Sequence, residues 1–198
     1  MSVQFDVSRP SQYDRVQLAL RLLVMIVLGV VGAPLGWIFG FLYLGLPALA
    51  AAVTSQRGGV GYRDEMGPRL ARGFDWLLAL HAYLALLTDR FPSAANLGVT
   101  FEVAPHGEPT VKSSLLRLIT SLPTAIVLWL LALVSAPVWV VSAIFILARG
   151  NYPTALFDFQ RGVLRLFARF LAYHASLVDA GPLSFAEGAA SPPAQVTR

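Results

Sequence analysis

The chain contains no cysteine, which excludes disulfides, thiolate metal sites and a cysteine nucleophile. It is also poor in charge: charged residues make up 13% of its 198 residues and apolar ones 56%, where a soluble domain carries about 25% charged. Their placement is more telling than their number. Between Arg21 and Arg57 lie 35 residues without an Asp, Glu, Lys or Arg, and between Arg117 and Arg149 another 31. A soluble core helix needs about 10–14 apolar residues and a bilayer span about 20, so both tracts point to a membrane. The polar opening, 1–14, and the length of the first tract do not fit a cleavable secretion signal, so the segment is expected to be retained.

Catalytic groupings are missing as well. There is no glycine-rich phosphate loop. The three histidines, His81, His106 and His174, do not form an i,i+4 metal pair. His81 and His174 stand beside Tyr83 and Tyr173 and read as hydrogen-bonded core residues before a shared proton or metal site. Neither tract contains an acid, which argues against a coupled transporter. No enzymatic activity, metal or cofactor is expected. The net charge of +4 suggests anionic lipid headgroups as partners, and not nucleic acid.

What is present is repetition. Val3-Gln4-Phe5-Asp6-Val7 lines up with Val99-Thr100-Phe101-Glu102-Val103, and Leu20-Arg21-Leu22 with Leu116-Arg117-Leu118, both at an offset of 96. Arg57-Gly58 matches Arg149-Gly150 and Tyr62 matches Tyr152. Ala82-Tyr83, Leu87, Asp89 and Pro92 fall on Ala172-Tyr173, Leu177, Asp179 and Pro182 at an offset of 90. The change of offset places about six extra residues in the glycine-rich stretch 58–67, where a loop tolerates insertion. The expected organisation is a first membrane repeat, 1–98, a second, 99–190, and a disordered tail, 191–198. Each repeat opens with a period-2 strand. The two strands either pair as a small ribbon or stay as separate arms. A long apolar tract and a charged helix follow, giving a mostly α fold of membrane hairpins with amphipathic interfacial helices.

Each tract is either one tilted span or a hairpin. Pro34 within Gly32-Ala33-Pro34-Leu35-Gly36, and Pro137 within Ser135-Ala136-Pro137, favour turns, since proline removes a donor and clashes with the preceding turn. A kink inside one span is the other reading. The N-terminal, central and C-terminal segments are all basic, so hairpins satisfy the positive-inside pattern better than single spans do. A multi-pass protein of a bacterial inner membrane with cytoplasmic termini is expected. The arms, 18–33 and 138–148, are short for full crossings.

In the second repeat, 157–179 reads as an amphipathic helix. Arg161, Arg165 and Arg169 recur every fourth residue as one stripe, opposite an aromatic face. Together with Arg72 they are the candidate contacts for lipid headgroups; the alternative is a solvated face. Asp158 is placed to pair with Arg161 at i,i+3. Asp89 and Asp179, the best-matched polar positions, read as structural clamps first and binding residues second: a helix C-terminus disfavours a carboxylate, so each either starts the next turn or pairs with an arginine. The partner helix, 69–89, has Asp75 where the repeat has Arg165.

Leu80-His81-Ala82-Tyr83 with Leu86-Leu87-Thr88-Asp89-Arg90-Phe91-Pro92, and Arg149-Gly150-Asn151-Tyr152-Pro153 with Leu156-Phe157-Asp158-Phe159 and Gly162-Val163-Leu164-Arg165, resemble the motifs of a family of bacterial membrane proteins catalogued as a domain of unknown function. The resemblance covers both repeats and implies membership without a mechanism. Each repeat departs from one of the two motifs. The functional expectation is a non-enzymatic scaffold or accessory subunit of a membrane complex, with a membrane-protein partner or a second copy. The alternatives are an anionic-lipid-handling protein and a small oligomeric channel.

Overall fold

A computed structural model describes residues 3–31, 35–93, 98–105 and 108–183, the side chains of 28–31 and 35–39 excepted. The chain is mostly helical, with one short two-stranded sheet. Strand β1 (Val3–Asp6) leads to α1 (Arg15–Val31), α2 (Leu35–Gly61), a π-turn (Tyr62–Met66) and α3 (Gly67–Leu84). Strand β2 (Thr100–Val103), α4 (Val111–Thr120), α5 (Leu122–Arg149) and α6 (Thr154–His174) follow.

The alternating starts do pair. β1 and β2 form an antiparallel ribbon in which Val3 faces Val103, Phe5 faces Phe101 and Asp6 faces Thr100. Val3 and Phe5 turn inward while Gln4 and Asp6 stay exposed, the division a period-2 pattern produces.

The second tract does not turn. Pro137 lies inside the continuous helix α5, 28 residues long. The hairpin expected there is corrected to one helix; a proline can be carried within a helix when neighbouring groups take up the freed backbone. The carbonyl that Pro137 deprives of its donor is that of Leu133; two residues before the proline, Gln160 Nε2 of α6 donates to the Ser135 carbonyl at 3.1 Å and ties the helix to its neighbour. The apolar run begins after a break at Ser121, and the preceding α4 opens on a capping box of Thr110 and Ser113. α5 ends on Gly150 at φ +68°, a left-handed cap that glycine adopts without strain. In the first tract α1 and α2 lie on either side of 32–34; the expected tip at Pro34 is outside the described residues.

α5 is long and apolar enough to cross a membrane, by length and composition. Its 28 residues extend about 42 Å at 1.5 Å per residue. One stripe, Thr124, Leu128, Ser142, Ala143 and Ile146, is buried. Ala125 and Trp139 beside it are half-buried against the core, and an outer face including Ile126, Trp129, Leu133, Val140, Ile144 and Leu147 is exposed.

α6 returns antiparallel along α5. Its last residue, His174, meets Ser121 at the start of α5 through Nδ1 and Oγ at 2.9 Å, Gln160 meets Ser135 midway, and the Gly150–Pro153 turn joins the other ends. The two charged helices are 67–84 and 154–174, so both end before the aspartates that the sequence placed inside them. The core lies between α3, α6 and the inner faces of α2 and α5, around Phe74, Leu78, Leu86, Phe157, Leu164 and Leu171.

Candidate functional site

Asp89 and Asp179 stand just past the ends of α3 and α6, and the same backbone device puts them there. The Ala85 and Ala175 amides close the helices on His81 and Leu171. Leu86 and Ser176 then take positive φ, 65° and 59°, and the amides of Leu87 and Leu177 reach back to the carbonyls of Ala82 and Ala172, each at 2.9 Å. This satisfies carbonyls that a helix end would leave free.

An arginine from the start of each apolar tract fills the resulting corner. Arg21 Nη2 donates to the Thr88 carbonyl at 2.6 Å and to Asp89 Oδ1 at 2.5 Å, with its guanidinium over the Tyr83 ring at 4.6 Å. Asp89 Oδ2 accepts from the Asp14 amide at 2.9 Å. Arg117 donates to the carbonyls of Tyr173 and Val178 and to Asp179 Oδ1, the last at 2.7 Å, and lies over the Tyr173 ring at 4.5 Å. Both arginines are buried. Sequence reasoning expected an arginine partner without naming it. The signal was there: Arg21 and Arg117 are themselves matched positions at the foot of each tract.

The stripe on α6 is built differently. Arg165 Nη2 meets Asp6 Oδ1 at 2.8 Å, and its Nε donates to the Phe5 carbonyl at 3.1 Å. Arg161 meets Asp158 Oδ1 at 2.8 Å and lies 3.7 Å from Asp6. Arg165 and Arg169, with Val3, Gln4, Asp6 and Thr100, line a cavity of about 370 Å³ between α6 and the ribbon. The stripe therefore secures β1, and Asp6 and Asp158 offset part of its charge. Arg72 is elsewhere: it is exposed on α3, donates from Nε to the Pro68 carbonyl at 3.3 Å, and does not line the cavity. On α3 Asp75 has no ion pair among the described residues, and burial raises its carboxyl above the usual range.

His174, expected from the sequence as a hydrogen-bonded core residue, is buried with a partner at each ring nitrogen, neither of which the sequence named. Pro47 sits inside α2 and has no N–H for the carbonyl four residues earlier, Tyr43. His174 Nε2 supplies the donor, at 2.6 Å, while Nδ1 faces the Ser121 hydroxyl. This network assigns a neutral imidazole, protonated on Nε2. Burial lowers its pKa, and Arg117 acts in the same direction against the Tyr43 hydrogen bond. Tyr62, turned inward by the π-turn, donates to the Ala175 carbonyl, and burial raises its pKa. A second, mostly apolar groove of about 250 Å³ runs between α5 and α6, with His81 at its side. Among the described residues no three acidic or histidine side chains gather as a metal-binding group.

Residues 112–186 match the model of a family described as a domain of unknown function, DUF4389. The match takes in α5 and α6 and both members of the Arg117–Asp179 pair. It falls on one stretch of the chain, where the motifs were expected to extend the resemblance over both repeats. No curated protein and no solved structure matches the chain.

Proposed function

We propose that the chain is a non-enzymatic membrane protein serving as a scaffold or accessory subunit of a membrane complex. One observation carries this reading: α5 presents an unbroken apolar face outward, while the ribbon and the arginine stripe of α6 lie on the other side of the same body. An apolar face of that length on a water-soluble monomer would be an aggregation liability. The polar side offers the surface for a protein partner or a second copy. The test is purification of the full chain in a mild detergent after alkaline washing of membranes. A stoichiometric membrane-protein partner, or a defined oligomer, supports the reading; an isolated monomer released by the wash overturns it.

The repeat belongs to the same proposal. Phe5 pairs across the ribbon with Phe101, its own counterpart at the offset of 96, and in each corner an arginine donates to an aspartate and to the carbonyl just before it. These features support a duplicated module.

A rival reading is lipid handling through Arg161, Arg165 and Arg169. The cavity beside Arg165 and Arg169 favours it, since guanidinium groups bind phosphate oxygens well. Replacing all three by glutamine should then abolish binding to anionic liposomes; unchanged binding sinks it.

A further inference from the structure

We infer that α5 does not cross the bilayer but lies along it, its outer face sunk among the acyl chains of one leaflet. This rests on the membrane reading above and specifies how the body sits.

The argument starts from what α5 is tied to. Ser121, at its start, is bonded to His174. The Gly150 carbonyl, at its end, accepts from the Tyr13 amide at 3.0 Å. Between these points its buried stripe rests on α6, through the Gln160–Ser135 bond and through Leu128 against Val163, Leu164 and Phe167 around the groove. A perpendicular α5 would take α6 through the hydrocarbon with it. α6 carries Asp158, Arg161, Arg165 and Arg169, and beyond it lies Asp6 on β1. Charged side chains at bilayer depth are costly and face a bundle interior or a water-filled cavity. Arg169 and Asp6 instead face the open cavity beneath the ribbon, on the outside of the body.

Rotating the body by a quarter turn removes the conflict. At 100° per residue, the centre of the arginine stripe lies about 165° around α6 from the Gln160, Val163 and Phe167 side that meets α5. The order through the body is then acyl chains, α5, α6, ribbon, water. Residues 122–148 contain no charge, and every large side chain exposed between them is apolar; Arg149 closes the helix at its end. α1 packs beside α5 and past Arg21 exposes Leu22, Leu23, Met25, Ile26 and Val27, so the apolar face is broader than one helix. The length of α5 is compatible with either placement: a crossing helix of about 42 Å would tilt within a hydrocarbon core of about 30 Å, and an in-plane helix has no such limit. The arginine stripe then points away from the leaflet that holds α5. The surface left for a partner is the ribbon and the stripe.

Because the chain has no cysteine, single-cysteine labelling of the full protein decides the matter. The protein is reconstituted in sealed vesicles of phosphatidylethanolamine and phosphatidylglycerol. Glu108→Cys precedes α4 and Asn151→Cys follows α5; nitroxides at Ile126→Cys, Leu133→Cys and Ile144→Cys report depth along the helix. The expected result is that Glu108→Cys and Asn151→Cys label from the same side, and that the three nitroxides sit at one shallow depth within a few ångströms. Labelling from opposite sides, with Leu133→Cys deepest and the other two near opposite surfaces, overturns the inference and leaves the membrane reading intact. Nitroxides open to aqueous relaxation agents at all three sites overturn both.

Discussion

Arg21 and Asp89 meet at 2.5 Å with the arginine side chain 1% and the aspartate 21% exposed, whereas Arg117 and Asp179 meet at 2.7 Å with the aspartate 65% exposed. The two corners share donors but not environments, and the difference fixes the order of four variants. Arg21→Gln and Asp89→Asn each break a pair that solvent scarcely reaches, and removing one partner of a buried pair costs about 3–5 kcal/mol. Asp89→Asn should fall at the lower end, because its partner keeps the Thr88 carbonyl. Arg117→Gln strands two backbone carbonyls, at about 1–3 kcal/mol each. Asp179→Asn removes only an exposed carboxylate and should cost under about 1 kcal/mol. Denaturant unfolding in a fixed detergent measures all four. Equal losses for Asp89→Asn and Asp179→Asn would contradict this account of the corners.

His174 makes the fold sensitive to acid. Its folded-state pKa lies below its ordinary value of 6.5, so the unfolded chain takes up the proton first as pH falls. The contribution is complete above about pH 6.5 and is lost progressively below it. Melting temperature should therefore drop between pH 7 and pH 5. His174→Gln should start lower, because the Tyr43 carbonyl loses its donor, and should show a shallower acid slope. A slope unchanged in His174→Gln would remove His174 as its source.

Glycines offer a test with two signs. Gly150 holds φ +68° at the end of α5, and a side chain in the left-handed region costs about 1–2 kcal/mol. Gly150→Ala should destabilise by that amount. Gly162 lies within α6 with open space where a Cβ would stand. Gly162→Ala should stabilise by about 0.5–1 kcal/mol, the usual gain of alanine over glycine in a helix. Thermal scans of the two proteins should move in opposite directions; a loss at Gly162→Ala would mean that the exposed face of α6 is covered.

What the sequence revealed of this fold was local or repeated. Val3 and Phe5 alternate with polar residues, and the ribbon follows. Asp158 and Arg161 are one helical turn apart, and they pair. The recurrence of Asp89 and Asp179 marked the two corners. Interactions between distant segments were not legible. Asp6 lies 159 residues from Arg165, so the stripe read as free charge although the chain's own first strand occupies it. Pro137 read as a turn because proline disfavours helix, but the apolar run on both sides of it forms one continuous helix packed along α6. Leu86 gives no sign that it will take positive φ, and its helix ends earlier than the apolar pattern does. Pro47 and His174 are 127 positions apart, and only their meeting gives either a role.

The stripe can be divided by two single substitutions. Arg165 holds Asp6 and the Phe5 carbonyl, so Arg165→Gln should release β1 and speed amide exchange at Val3–Asp6. Its effect on global stability should stay under about 1 kcal/mol, because the pair is partly exposed. Arg169 lines the cavity but makes no hydrogen bond or ion pair to the ribbon among the described residues, and Arg169→Gln should leave that exchange unchanged. The same two proteins separate the placements of the body in a membrane. If the stripe grips lipid headgroups, Arg169→Gln should weaken binding to phosphatidylglycerol vesicles by several-fold, with steep dependence on salt. If α5 lies in the leaflet and the stripe faces water, Arg169→Gln should bind as the parent does. A charge at the centre of the apolar face, Leu133→Asp, should then abolish vesicle binding while leaving the ribbon's exchange unchanged.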